Sequence, residues 1–237
     1  MPGRLSAALT VEPLEMDYIL SLHHLPILLS QFSILPAAVI GMIRFKKISS
    51  IYYPFVYFCW AGLLAEVLSV ASVALFHNNA VSANIYVLLE FLLIVWQFKN
   101  WGLFQGVMQY YRLLLAAMPV LWLLDGVILH PITRFSSVYR MSYSLAVVLF
   151  SAYYMNTLFF SERRSILRNP RFLISLAFLV YFTFKGLFEI YFLFHIKHMK
   201  TLYHYTMLGL DAVNMLANFT FILVMLWIPK KDTFSMR

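Results

Sequence analysis

The chain has 237 residues, 62% of them hydrophobic and 12% charged, with a mean hydropathy of +0.78. Water-soluble domains hold about 45–50% apolar and about 25% charged residues, so a soluble globular fold is excluded and an all-α, polytopic membrane protein is expected. The formal net charge of +8 does not indicate nucleic acid, because the basic residues fall in short connectors between apolar runs rather than in one patch.

Residues 1–17 read as a short polar N-terminal tail without the apolar core of a secretory signal, and Met16 is a second candidate start. Apolar runs of about 18 or more residues can span a bilayer as helices. Seven follow, at residues 18–43, 52–76, 81–98, 111–130, 138–160, 171–195 and 204–228. They fill a transmembrane domain over residues 18–228 and leave a tail at 229–237. Pro26 and Pro36 interrupt the first span, and aromatic residues such as Tyr52, Trp101, Tyr111 and Trp227 sit near span ends, as in an interfacial belt. Twelve of the 18 Lys and Arg residues fall on one side, from Arg44, Lys46 and Lys47 to Lys230, Lys231 and Arg237. Five fall on the other (Arg4, Arg134, Arg140, Lys197, Lys200), and Lys185 lies inside the sixth span. The excess of positive charge predicts an outside N-terminus and a cytoplasmic C-terminus, in a multi-pass protein of a bacterial inner membrane.

The polar residues inside the spans carry the functional signal. The second span holds Glu66 and Ser69, along with Cys59, a single cysteine that forms neither an internal disulfide nor a multi-cysteine metal site. In the third, the stretch NIYVLLEFLLIVW is broken only by Glu90, near the middle of the bilayer, with Gln97 on the same face. A charge there costs ~2.5–3.5 kcal/mol even on the lenient insertion scale. The fourth span carries Asp125. Lys185 and Glu189, spaced i, i+4 on the sixth, are expected to pair with each other. Asp211, Asn214 and Asn218 form one stripe on the seventh. For Ser69, Asn214 and Asn218 the simpler reading is hydrogen bonding between helices, at ~0.6 kcal/mol each. For Glu66 and Glu90 the burial cost is high enough to point to a site. Glu66, Glu90, Asp125, Lys185, Glu189, Asp211 and Asn214 are therefore expected to surround an outward-facing polar cavity for a small ligand, cation or proton.

All seven histidines map to the outer side. His195 and His198, spaced i, i+3, offer two imidazoles to zinc or another divalent metal, although no ligand triad has diagnostic spacing. No other cofactor is expected. Phosphate-binding loops, H-E-x-x-H, G-x-S-x-G and kinase signatures are all missing. Seven helices with an outside N-terminus resemble microbial rhodopsins, but the last span, LGLDAVNMLANFTFILVML, has no lysine for retinal. SVALFH, residues 72–77, resembles the first zinc element of alkaline ceramidase and adiponectin-receptor-like hydrolases, whose H-x-x-x-H pair has no counterpart in the last span.

The stretch NIYVLLEF, together with the N-x-x-x-N spacing of Asn214 and Asn218, resembles seven-helix membrane proteins of bacteria that are similar to the membrane-embedded sensor halves of signalling proteins. That likeness implies a receptor-like or sensor module. Its nine-residue tail is too short for an output domain, so it would signal through a separate membrane or cytoplasmic partner. The basic connector SERRSILRNPR is the expected contact for that partner or for anionic lipid. A small transporter or channel for a proton or cationic solute is the alternative, and an intramembrane enzyme ranks third because no catalytic set is complete.

Overall fold

Proline decides where the first helix breaks. In the computed structural model, which describes residues 25–161, 166–193 and 200–229, a short helix α1 (Leu25–Gln31) passes through a 3-10 turn at Phe32–Ile34 into α2 (Leu35–Arg44). Pro36 has no N–H for the carbonyl of Phe32, and its ring crowds that carbonyl. The N–H of Leu35 bonds Phe32 instead, which tightens the chain into the 3-10 turn. Six long helices follow: α3 (Tyr53–Phe76), α4 (Ala80–Asn100), α5 (Met108–Leu123, continued by a π-turn over Leu124–Leu129), α6 (Ser137–Ser161), α7 (Pro170–Leu193) and α8 (Lys200–Trp227). Among the described residues, seven helical segments are long and apolar enough to cross a membrane; six have bounds close to the expected spans, and the first runs over Leu28–Lys47. Most helices present large exposed apolar side chains, including Met42, Ile43, Leu75, Phe76, Leu113, Leu129, Leu149, Phe160 and Leu216. In water such a surface would drive aggregation; against lipid it costs nothing. The fold is that of a multi-pass membrane protein.

Neighbours in sequence pack side by side, α3 on α4, α6 on α7 and α7 on α8, and α8 closes the bundle against α1 and α2. Helix α4 touches α3, α5 and α6, and half of its spanning window is buried, against 17–39% for the other six. Phenylalanine rings tie the centre: Phe58, Phe178 and Phe221 meet edge to face at centroid distances of 5.3–5.8 Å.

A helix terminus leaves N–H or C=O groups unbonded, and in hydrocarbon each must find a partner within the protein. Here neighbouring helices supply them. Fully buried Gln97 on α4 accepts the N–H of Phe55 at 2.9 Å and donates to the carbonyl of Ile51 at 2.8 Å, fixing the start of α3. At the opposite end of the chain, Arg44 on α2 donates to the carbonyls of Met225 and Ile228, the second at 3.3 Å, where α8 ends. A cation at a helix C-terminus also meets the negative end of its dipole. The N–H of Ser49 adds a bond to the carbonyl of Pro229 at 3.2 Å. Because the Arg44 fork serves two carbonyls, Arg44→Met is expected to lower unfolding free energy by ~1–3 kcal/mol. Arg44→Lys should recover only part of that, and thermal unfolding in detergent checks both.

Candidate functional site

Glu90 is 2% exposed and is bonded through both oxygens. Lys185 of α7 donates to Oε2 at 2.8 Å, Tyr143 of α6 donates to the same oxygen at 2.6 Å, and Tyr86, one turn earlier on α4, donates to Oε1 at 3.2 Å. The ammonium of Lys185 in turn lies over the rings of Tyr143, Tyr181 and Phe182, 5.2–5.3 Å from their centroids. Three helices thus converge on one carboxylate, and both charges of the pair are neutralised and solvated by protein dipoles.

The expected pairing of Lys185 with Glu189 along α7 does not occur. Glu189 instead faces Arg140 of α6, at 3.6 Å, and Arg140 stacks over Phe135 at 4.8 Å. An i, i+4 pair on α7 would have left Glu90 and Arg140 buried without counter-ions. Two bridges between helices satisfy all four charges, and a buried charge without a partner is the costliest state available.

Asp125 and Asn84 form a separate cluster around the start of α6. Asp125, 2% exposed and held in the π-turn that ends α5, accepts the N–H of Tyr139 at 2.9 Å, with His130 at 3.4 Å. A carboxylate there offsets both an orphan donor and the positive end of the α6 dipole. Asn84, fully buried, donates to the carbonyls of Ile132 and Arg134 at 3.0 and 2.7 Å, and accepts from the N–H and hydroxyl of Ser136. Both residues are fully engaged in holding the 130–136 loop and the helix that follows it. Asp211 is half-buried and receives the Ser30 hydroxyl on its backbone carbonyl at 3.3 Å.

Beside the Glu90 network lies a cavity of about 50 Å³. Its polar lining is Gln31, Glu66, Tyr86, Glu90, Tyr181, Asn214 and Asn218, and its apolar walls include Ile34, Phe58 and Phe221. The cavity abuts the break in the first span. The carbonyl of Ser30, released from regular helix bonding, accepts the Ser33 hydroxyl at 2.6 Å and the Asn214 amide at 3.2 Å, and Asn218 donates to Ser33 Oγ at 2.7 Å. The asparagine stripe on α8 therefore mends the proline break, as broken membrane helices require. Gly62 makes the cavity possible: a Cβ there would stand 2.8 Å from Ile34 Cδ1 and 3.4 Å from the Tyr86 hydroxyl.

Hydrogen-bond inventory defines what the cavity offers. Tyr86 spends its proton on Glu90. Asn218, 4% exposed, spends its amide on Ser33 and on Asn214 Oδ1, and Asn214 spends one of its two N–H groups on Ser30. Left over are phenol lone pairs, the Asn218 carbonyl oxygen and the Glu66 carboxylate, which has no hydrogen-bond or ion-pair partner among the described residues. Gln31, the Tyr181 hydroxyl and the second N–H of Asn214 are the donors of the lining; its remaining polar groups are acceptors, two of them carboxylates.

Of the residues expected around one cavity, Glu66, Glu90 and Asn214 line it and Lys185 bonds to its wall. Asp125 and Glu189 belong to other clusters, and Asp211 is not part of the lining. His195 and His198 lie outside the described residues, and among those described no group of three His, Cys, Asp or Glu side chains could hold a metal. Sequence reasoning missed Asn84, Tyr86, Tyr143 and Arg140. The signals were present: Tyr86 sits i−4 from Glu90, and Arg140 falls within the fifth span. No family model matches the chain, and no curated protein or solved structure is significantly similar to it.

Removing one partner of a buried pair strands the other. Lys185→Met is expected to cost ~3–5 kcal/mol of unfolding free energy. The double variant Glu90→Gln/Lys185→Met, which removes both charges and keeps one oxygen acceptor for Tyr143 or Tyr86, should recover most of it. Chemical denaturation of the three proteins in one detergent measures the difference.

Proposed function

We propose that this protein is a receptor-like membrane module that takes up a proton or a small cation in the cavity beside Glu90 and passes the change to a separate partner. One observation carries the reading: the cavity is lined by two carboxylates, and one of them, Glu66, has no hydrogen-bond or ion-pair partner among the described residues. A lining of that kind favours a donor or a cation and disfavours an anion. Its small volume favours an ion over an organic ligand, since binding pockets for drug-sized molecules run to about 300–1,000 Å³. Glu90 supplies less of the binding energy than Glu66, because Lys185, Tyr143 and Tyr86 already occupy it.

The break between α1 and α2 is the element such an occupant would bias. Ser30, Ser33, Asn214 and Asn218 hold the break, and the asparagines also line the cavity. Loading the cavity changes what the asparagines bond, and so shifts the balance between α1 positions. In this reading the cavity opens to the outside of a bacterial inner membrane, the C-terminus is cytoplasmic, and the partner or anionic lipid docks on the Lys- and Arg-rich side.

The broken span also favours a second reading, a small proton or cation transporter, since discontinuous helices beside a midplane carboxylate are a recurrent transporter feature. Thermal unfolding and flux together separate these. A bound cation at a hundredfold excess over its Kd adds about 2.7 kcal/mol of stability. The wild type should gain such a shift with added alkali cation or proton, and Glu66→Gln should lose it. Liposomes carrying the protein alone should show no cation flux. Flux through wild type that Glu66→Gln abolishes would establish the transporter instead. An unshifted wild type would remove the site altogether.

A further inference from the structure

Resting on the cation-binding reading above, we infer that Lys185 sets the valence of the site: the chamber accepts one monovalent metal cation of about sodium size, and the resident ammonium excludes divalent ions. Three charged groups surround the cavity. Glu66 and Glu90 are its carboxylates, and Lys185 is the tethered cation 2.8 Å from Glu90. With the Glu90–Lys185 pair neutral, one negative charge is left, on Glu66.

A monovalent ion brings the chamber to neutrality. A divalent ion would leave one positive charge beside an ammonium in a medium of low dielectric, where like charges repel strongly. Lys185 is not free to leave, because three ring faces and the Glu90 carboxylate hold it.

The donor set selects the ion class. Glu66 offers a carboxylate, Asn218 an amide oxygen whose own N–H groups are already spent, and Tyr86 the lone pairs of a phenol whose proton is spent. These are hard oxygen donors, suited to alkali and alkaline-earth ions rather than to soft transition metals, and the lining holds no His or Cys among the described residues. A water needs about 10–15 Å³ of such space, so about 50 Å³ admits a partly dehydrated ion with a few waters and no larger organic cation.

The test follows thermal unfolding of the purified full-length chain in chloride salts of sodium, calcium and N-methylglucamine, the last controlling for ionic strength. Wild type should be stabilised by sodium and not by calcium. Lys185→Met, with two uncompensated carboxylates, should gain a calcium-dependent upward shift. Glu90→Gln/Lys185→Met restores one net negative charge and should again respond to sodium alone. Glu66→Gln should lose the sodium response.

Calcium stabilisation of wild type or of the double variant would overturn the proposal, as would a folded Lys185→Met indifferent to calcium. If Lys185→Met fails to fold, the double variant decides: a sodium-only response supports the assignment, and its loss refutes it. The underlying cation reading fails separately, by the absence of any cation or proton response in wild type. A wild type that responds to protons but not to sodium keeps that reading and overturns this one.

Discussion

The Glu90 carboxylate is the constraint around which the rest of this bundle is arranged. In the middle of a bilayer it must be neutralised, and it is neutralised by groups from two other helices, Lys185 of α7 and Tyr143 of α6. That convergence fixes the register of α4 against α6 and α7. It also explains why Glu189 turns to Arg140: once Lys185 is committed across the bundle, the acid one turn away needs its own cation, and α6 provides it. Two bridges then pin α7, one to α4 and one to α6.

The same cost of burying a polar group without a partner accounts for the other polar residues of α4. Asn84 secures the loop before α6, and Gln97 secures the first turn of α3. Helix α4 reads in sequence as a hydrophobic segment with three interruptions, and each interruption is an anchor for a different element. Against that background Glu66 stands out. It is half-buried, it lines a cavity, and no described donor serves it. Trp101 Nε1, Tyr139 OH, Arg140 Nε, Ser144 Oγ and Ser151 Oγ are also buried without a partner among the described residues, but Glu66 is a carboxylate on a cavity, and that makes it the place to look for a ligand.

Much of the fold was legible from the sequence because the bilayer imposes so few choices. Apolar length alone locates seven helices, and Pro36 marks the interruption of the first. Of the Asp211, Asn214 and Asn218 stripe expected from spacing along one helix, Asn214 and Asn218 line the cavity together while Asp211 is not part of the lining, and Glu90 and Gln97 are both buried. Partners between helices were not legible. The i, i+4 rule paired Lys185 with Glu189 because it sees only one helix, whereas the choice is made by which charges would otherwise be stranded across the bundle. For the same reason Asp125 looked like a site residue: nothing local shows that the chain returns to place the first turn of α6 against it. Tyrosines 86 and 143 were invisible as polar groups because tyrosine is counted as hydrophobic.

The central claim is that Glu66, and not the better-hidden Glu90, is the carboxylate that meets the cation. Infrared difference spectra of wild type and Glu66→Gln, recorded with and without sodium, test it at the bond concerned. A carboxylate-stretch change on sodium addition in wild type that vanishes in Glu66→Gln is the predicted result. The same difference spectrum in both proteins would place the ion elsewhere and contradict the account.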